Sequence, residues 1–138
     1  MSKKSRRNPL NEMFDKLEKV EGYIYIGFVP SNREVYKIGR TKNLRKRLTD
    51  LKREHGNSFC YYYFSRLLYN NVRAEEYLHS QMEEPILGQE WFELGELSLD
   101  CVVNDIHRLE SESDEYYELE DDLLSYQVSR NVASSHKR

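Results

Sequence analysis

Seven cations crowd one short stretch of the chain: Arg40, Lys42, Arg45, Lys46, Arg47, Lys52 and Arg53. Such a run suits a polyanion, because each phosphate contact releases a counterion and makes binding steeply salt-dependent. One of the seven stands apart. If residues 44–54 form a helix whose buried stripe is Leu44, Leu48 and Leu51, Arg47 lies roughly 60° from that stripe, at its border. There it can reach back over the body of the protein while Lys46 and Arg53 point to solvent. Further along, Glu75 and His79 stand four residues apart and share one face of a predicted helix. The basic helix carries no convincing pairing of Asn or Gln with Arg of the kind that reads base edges.

Around these residues the chain divides into recognisable elements. Leu10, Phe14 and Leu17 recur at helical spacing, so Pro9–Val20 is expected to be a short amphipathic helix after a disordered basic tail over residues 1–8. Gly22 opens a strand in which Tyr23, Tyr25 and Gly27 face one way and Ile24, Ile26 and Phe28 the other. Pro30, Ser31 and Asn32 supply turn chemistry, and a second strand over about Glu34–Gly39 pairs back antiparallel. Asn43 is a suitable N-cap for the basic helix Leu44–Glu54. Ser58–Leu68, rich in Tyr and Phe, reads as a third strand with a possible central place. Asn71–Met82 is a second helix, Glu90–Leu94 a short strand, Leu97–Leu109 a third helix and Tyr116–Val128 a loosely docked fourth. The last ten residues are expected to be disordered. The fold class is α/β in the broad α+β sense, a three-stranded, mainly antiparallel sheet flanked by helices with a short extra strand.

Composition limits the alternatives. The 138 residues suffice for one domain and its ends. With 33% charged residues and no apolar run approaching ~18–20 residues, no membrane span is expected. The N-terminal MSKKSRRNP is charged without a following apolar run, so it does not read as a secretory signal. Cys60 and Cys101 form no CxxC or Cys/His cluster, which argues against zinc and suits an intracellular, reducing compartment, cytoplasm or nucleus. The net charge of −3 hides a segregation: Lys3, Lys4, Arg6 and Arg7 add to the basic half, whereas residues 110–122 hold eight acids and no Lys or Arg. Eight clustered acids can imitate a phosphate track, so this segment is a candidate mask for the basic helix or a lure for a basic protein partner.

The order strand, turn, strand, Gly39, basic helix, carried by GYIYIGFVPSNREVYKIGRTKNLRKR over residues 22–47, resembles the opening of the GIY-YIG nuclease superfamily. It is most similar to the branch found in phages and large DNA viruses, whose second tripeptide reads KIG followed by RT. The resemblance covers about residues 22–94 within a domain of residues 22–109, followed by an acidic helix and tail over residues 110–138. It puts the first tyrosine at Tyr25, the helix arginine at Arg47 and the glutamate at Glu75 in AEEYLH, with Glu76 the alternative. Lys37 stands where most members have the second tyrosine. The asparagine that some members place after the glutamate helix has no counterpart in Ile86–Phe92.

What this resemblance implies is phosphodiester cleavage in DNA, duplex or branched, with RNA also open. A catalyst for it brings positive charge and an activated water to an anionic backbone. Glu75 would hold one Mg²⁺ (or Mn²⁺) that keeps several waters and takes a phosphate oxygen. Arg47 would stabilise the in-line transition state, a role its planar fork suits better than lysine. Tyr25 would orient or deprotonate the water. With a phenol pKa of ~10 it needs a cationic neighbour to act as a base, and Lys37 is one option; Lys37 itself as base is the other. His79 is a further catalytic candidate. Arg40, Lys42, Arg45, Lys46, Lys52 and Arg53 would bind the nucleic acid. Two other readings stay open: a binding module of the same fold without turnover, and a protein-interaction module using the acidic segment.

Overall fold

The computed structural model describes residues 18–82 and 90–136, with side chains as far as Ser125. The basic tail, nearly all of the expected helix Pro9–Val20, and the loop through Pro85 and Gly88 lie outside the described residues. The elements run β1 (Tyr23–Val29), β2 (Asn32–Thr41), α1 (Leu44–His55), β3 (Cys60–Phe64), α2 (Asn71–Ser80), β4 (Trp91–Glu93) and α3 (Glu96–His136). Four strands form one sheet in the order β3-β1-β2-β4, every neighbouring pair antiparallel.

β1 is central because it is apolar on both faces. Ile24 and Ile26 are fully buried on one side, and Tyr25 is 1% exposed on the other. The third strand, expected to have a possible central place, is an edge instead. It leaves Tyr62 and Phe64 exposed, and so cannot be covered on both faces. On the Ile24 face, Phe28, Tyr36, Ile38 and Phe92 pack against Ala74 and Leu78 of α2 and Leu99, Val102 and Ile106 of α3. On the other face, Leu51 of α1 closes over Tyr25 and Phe59, with Leu44, Leu48 and Trp91 at the border. The sheet is therefore covered by one helix on one side and two on the other.

Both short helices begin where their caps dictate. Asn43 accepts from the backbone N–H of Lys46 at 3.0 Å, and Asn70 from that of Arg73 at 3.0 Å. Each satisfies a donor that the first helical turn cannot pair internally.

Beyond Gly95 the sequence predicts two helices and a disordered end, and the structure shows one helix, Glu96–His136. Nothing in residues 110–115 breaks a helix, and docking gives this stretch a role. Glu110, 6% exposed, accepts from the Arg66 backbone N–H at 2.8 Å, and Ser113 accepts from that of Tyr69 at 2.8 Å. Asp114 pairs with Arg66 at 3.2 Å, and Glu120 with Lys19 at 2.9 Å. Tyr117 donates to Glu21. The acids thus tie α3 to the β3–α2 connection and to the segment before β1. They do not cover the basic helix as a mask would. Among the described residues no helix is long and apolar enough to cross a membrane.

Candidate active site

Strand register assembles the floor of the site. Tyr25 faces Gly39 across β1–β2, Gly27 faces Lys37, and Lys37 faces Trp91 of β4. Because strand side chains alternate, all five lie on the sheet face beneath α1. The ring of Tyr25 lies over Gly39, where an added Cβ would collide with its hydroxyl; Gly27 makes the same room for Phe59. The glycines of the two tripeptides are there for close approach, as glycine within a strand often is.

Arg47 reaches this floor from α1. Its Nε donates to the Tyr25 hydroxyl at 3.4 Å, and Nη1 lies 3.8 Å from Glu54. Tyr61 of β3 rests 5.2 Å from the Tyr25 ring and donates to the Leu44 carbonyl at 2.7 Å, which fixes the start of α1 over the sheet. Burial pushes the Tyr61 phenol up to about 12. Burial also holds the Tyr25 phenol above its ordinary value; Arg47 opposes this, and the carboxylates Glu90 and Glu75 add to it. The cation acting on Tyr25 is thus Arg47 rather than Lys37, and burial outweighs it. Since the Tyr25 oxygen accepts from Arg47, its own proton is left to donate. Burial favours the protonated phenol, while the Arg47 contact pulls the other way.

Lys37 is 7% exposed. Its ammonium sits 3.3 Å from Glu90 and over the Trp91 ring at 5.7 Å, so the buried charge is paired. Glu75, half-buried on α2, accepts from Arg40 Nε at 3.2 Å through Oε1. Its Oε2 is buried and has no hydrogen-bond partner among the described residues. Burial raises the Glu75 carboxyl above the usual range, against the opposing influence of His79 and Arg40 and with a contribution from Glu90. Glu76, the alternative, is exposed. Among the described residues no group of three His, Cys, Asp or Glu side chains is arranged around a metal. An orphaned carboxylate oxygen still fits an ion that takes most of its ligands from water and phosphate.

Tyr25 and Lys37 lie together beneath α1, which supplies Arg47; Glu75 comes from α2, and it is tied to them by the electrostatic influence that it and Glu90 exert on Tyr25 rather than by a direct contact. His79, which acts electrostatically on Glu75, is also bonded to the sheet. Its Nε2 donates to the Ile38 carbonyl at 2.9 Å and its ring packs 5.0 Å from Phe92, bracing α2 on the sheet. Of the remaining cations, Lys42, Arg45, Lys46 and Arg53 are exposed and Lys52 is half-buried. Arg53 lies 3.7 Å from Asp50, and Arg40 is already committed to Glu75.

Two site residues escape a reading of the sequence. Glu90 opens the run EWFEL (Glu90–Leu94), which belongs to the resemblance, but its contact with Lys37 depends on β4 pairing with β2, a long-range event that no local pattern gives. His55 has a signal, since it extends the Leu44, Leu48, Leu51 stripe by four residues. It packs 5.6 Å from Phe59 and 5.1 Å from Trp91, with Nε2 buried 3.6 Å from Glu54. Burial, Lys37 and Arg47 all lower its pKa and only Glu54 opposes them, which favours the neutral ring.

No curated protein and no solved structure matches the chain. The family model described as the T5orf172 domain matches residues 22–112, from the residue before β1 into the part of α3 that holds Arg66. That span contains every described side chain of the site and most of the chain, and the protein belongs to the T5orf172 domain family.

Proposed function

We propose that this protein is a divalent-metal-dependent endonuclease of the GIY-YIG kind that cleaves DNA backbones. The T5orf172 domain is a phage-associated, nuclease-related domain, which supports the class. The observation that carries the reading is the unpartnered Glu75 Oε2, buried within electrostatic reach of the Tyr25–Arg47 pair. A bound Mg²⁺, held by Glu75, would supply Lewis acidity and neutralise charge on the leaving oxygen. The protein's own groups do the rest. Arg47 and the donating hydroxyl of Tyr25 stabilise charge on the phosphoryl oxygens, preorganised by burial and by the glycines beneath them. Lys37, held by Glu90, adds positive potential from the floor. The exposed cations of α1 hold the flanking phosphates.

The test is nicking of supercoiled plasmid in Mg²⁺ alongside DNA binding. Arg47→Ala should lower the cleavage rate by about 10³-fold or more, as loss of a transition-state arginine does elsewhere, while binding stays within a few-fold. The competing reading is a non-cleaving DNA-binding module. It is favoured by the Lys37–Glu90 pair at the second tyrosine's position and by Arg40 occupying one oxygen of Glu75. Binding without cleavage in any divalent metal decides for it.

A further inference from the structure

Phe64 is the most exposed aromatic among the described residues, with 51% of its surface in solvent, and its exposure has no structural explanation. The other large exposed aromatics do have one. Tyr62 packs edge-on against Phe28 and Tyr36 at 6.2 and 5.8 Å, and Tyr77 accepts from Arg108. Phe64 touches one ring, Tyr61, at 5.8 Å.

Its position is informative. Phe64 faces Tyr25 across the β1–β3 ladder and so lies on the same sheet face. Tyr25, Tyr61 and Phe64 form a row of rings from the buried Arg47 contact out to solvent. The middle ring is bonded to Leu44, at the start of the basic helix, between exposed Lys42 and exposed Arg45 and Lys46. A phosphodiester seated at Tyr25 and Arg47 thus has an open aromatic face on one side and cations close by. A duplex interior presents no free base face. An unpaired nucleotide does, and aromatic side chains stack on it with little regard to sequence.

We propose that Phe64 is a stacking platform for an unpaired base beside the cleaved phosphate, so that the preferred substrate is a duplex bordering a single strand, such as a flap or frayed end. The proposal rests on the nuclease reading and narrows its substrate class. Phe64 acts in positioning; it does not touch the reacting atoms.

The test uses the full chain, a fluorescent duplex, and the same duplex carrying a short single-stranded flap with 2-aminopurine at the first unpaired position. The wild type should bind the flap more tightly and quench the 2-aminopurine. Phe64→Ala and Phe64→Leu should lose about tenfold in flap affinity, within the range of one base–aromatic stack, with duplex binding unchanged. Phe64→Trp should restore both affinity and quenching. Because the Leu variant keeps apolar bulk, its failure separates stacking from folding. Equal wild-type affinity for the two DNAs overturns the proposal. So does a Phe64→Ala effect that is absent or equal on both, which would turn the exposed ring over to a protein partner. If the wild type binds and cuts neither DNA, the nuclease reading falls with it; if it cuts the duplex without flap preference, only the stacking inference falls.

Discussion

At the scale of residues, the site is a set of polar groups held where burial works against their charged forms. Burial holds the Tyr25 phenol above its ordinary value against the Arg47 contact, which favours a hydroxyl that can donate. Tyr25→Phe keeps the ring over Gly39 and removes the hydroxyl, both as a donor and as the acceptor of the Arg47 contact, so it should fold normally and cut at least about 10²-fold more slowly, the effect of deleting one preorganised donor. Glu75 gives a pH signature. Its folded-state pKa is raised, so the folded protein binds that proton more tightly than the unfolded chain does. This contribution to stability is present below the ordinary carboxylate value and is lost as pH rises through the raised one. Glu75→Gln cannot acquire the charge; it should melt at a higher temperature than the wild type at neutral pH, the gap closing as pH falls through the carboxylate range. Tyr25, Arg47 and Glu75 were picked out in the sequence by the resemblance of YIYIG, the basic helix and AEEYLH to the GIY-YIG superfamily. Glu90 lies in the EWFEL run that resembles the family, but its partner did not show, since Lys37 lies 53 positions earlier in the chain and only the β2–β4 pairing joins them.

At the scale of elements, local chemistry was readable and long-range docking was not. The caps at Asn43 and Asn70, the hairpin and the stripe of α1 all follow from neighbouring residues. The edge place of β3 and the continuity of α3 depend on which surfaces meet, and the acidic composition of residues 110–122 suggested a solvated or masking end. Instead Glu110 and Ser113 satisfy two backbone donors of the β3–α2 connection. Removing the chain after Leu109 would lose both bonds, about 0.5–1.5 kcal/mol for the neutral one and about 1.5–3 kcal/mol for the one to a carboxylate. The truncated protein should therefore lose stability in urea or thermal unfolding, where a mask would instead have produced tighter DNA binding with the fold intact.

At the scale of the whole molecule, the fold divides two roles between the faces of one sheet. α2 and α3 build the larger core on the Ile24 face, from which α2 also brings Glu75, and α1 closes the other face over Tyr25 and Lys37 and supplies Arg47. That leaves the exposed cations of α1 and its approach in position to grip a polyanion even though the chain's net charge is −3. Replacing Arg45, Lys46 and Arg53 together by Ala should weaken DNA binding and flatten its salt dependence, by about 0.9 in logarithmic slope for each phosphate no longer neutralised. In the proposed nuclease, catalysis would turn on Glu75 as the metal-holding carboxylate. The most direct measurement is the Mg²⁺-dependent conversion of supercoiled plasmid to open circle by the wild type, Glu75→Gln and Glu76→Gln, each verified as folded. The wild type and Glu76→Gln should nick at similar rates, and Glu75→Gln should not nick at all. Undiminished nicking by Glu75→Gln, or its loss in Glu76→Gln alone, would contradict a catalytic Glu75.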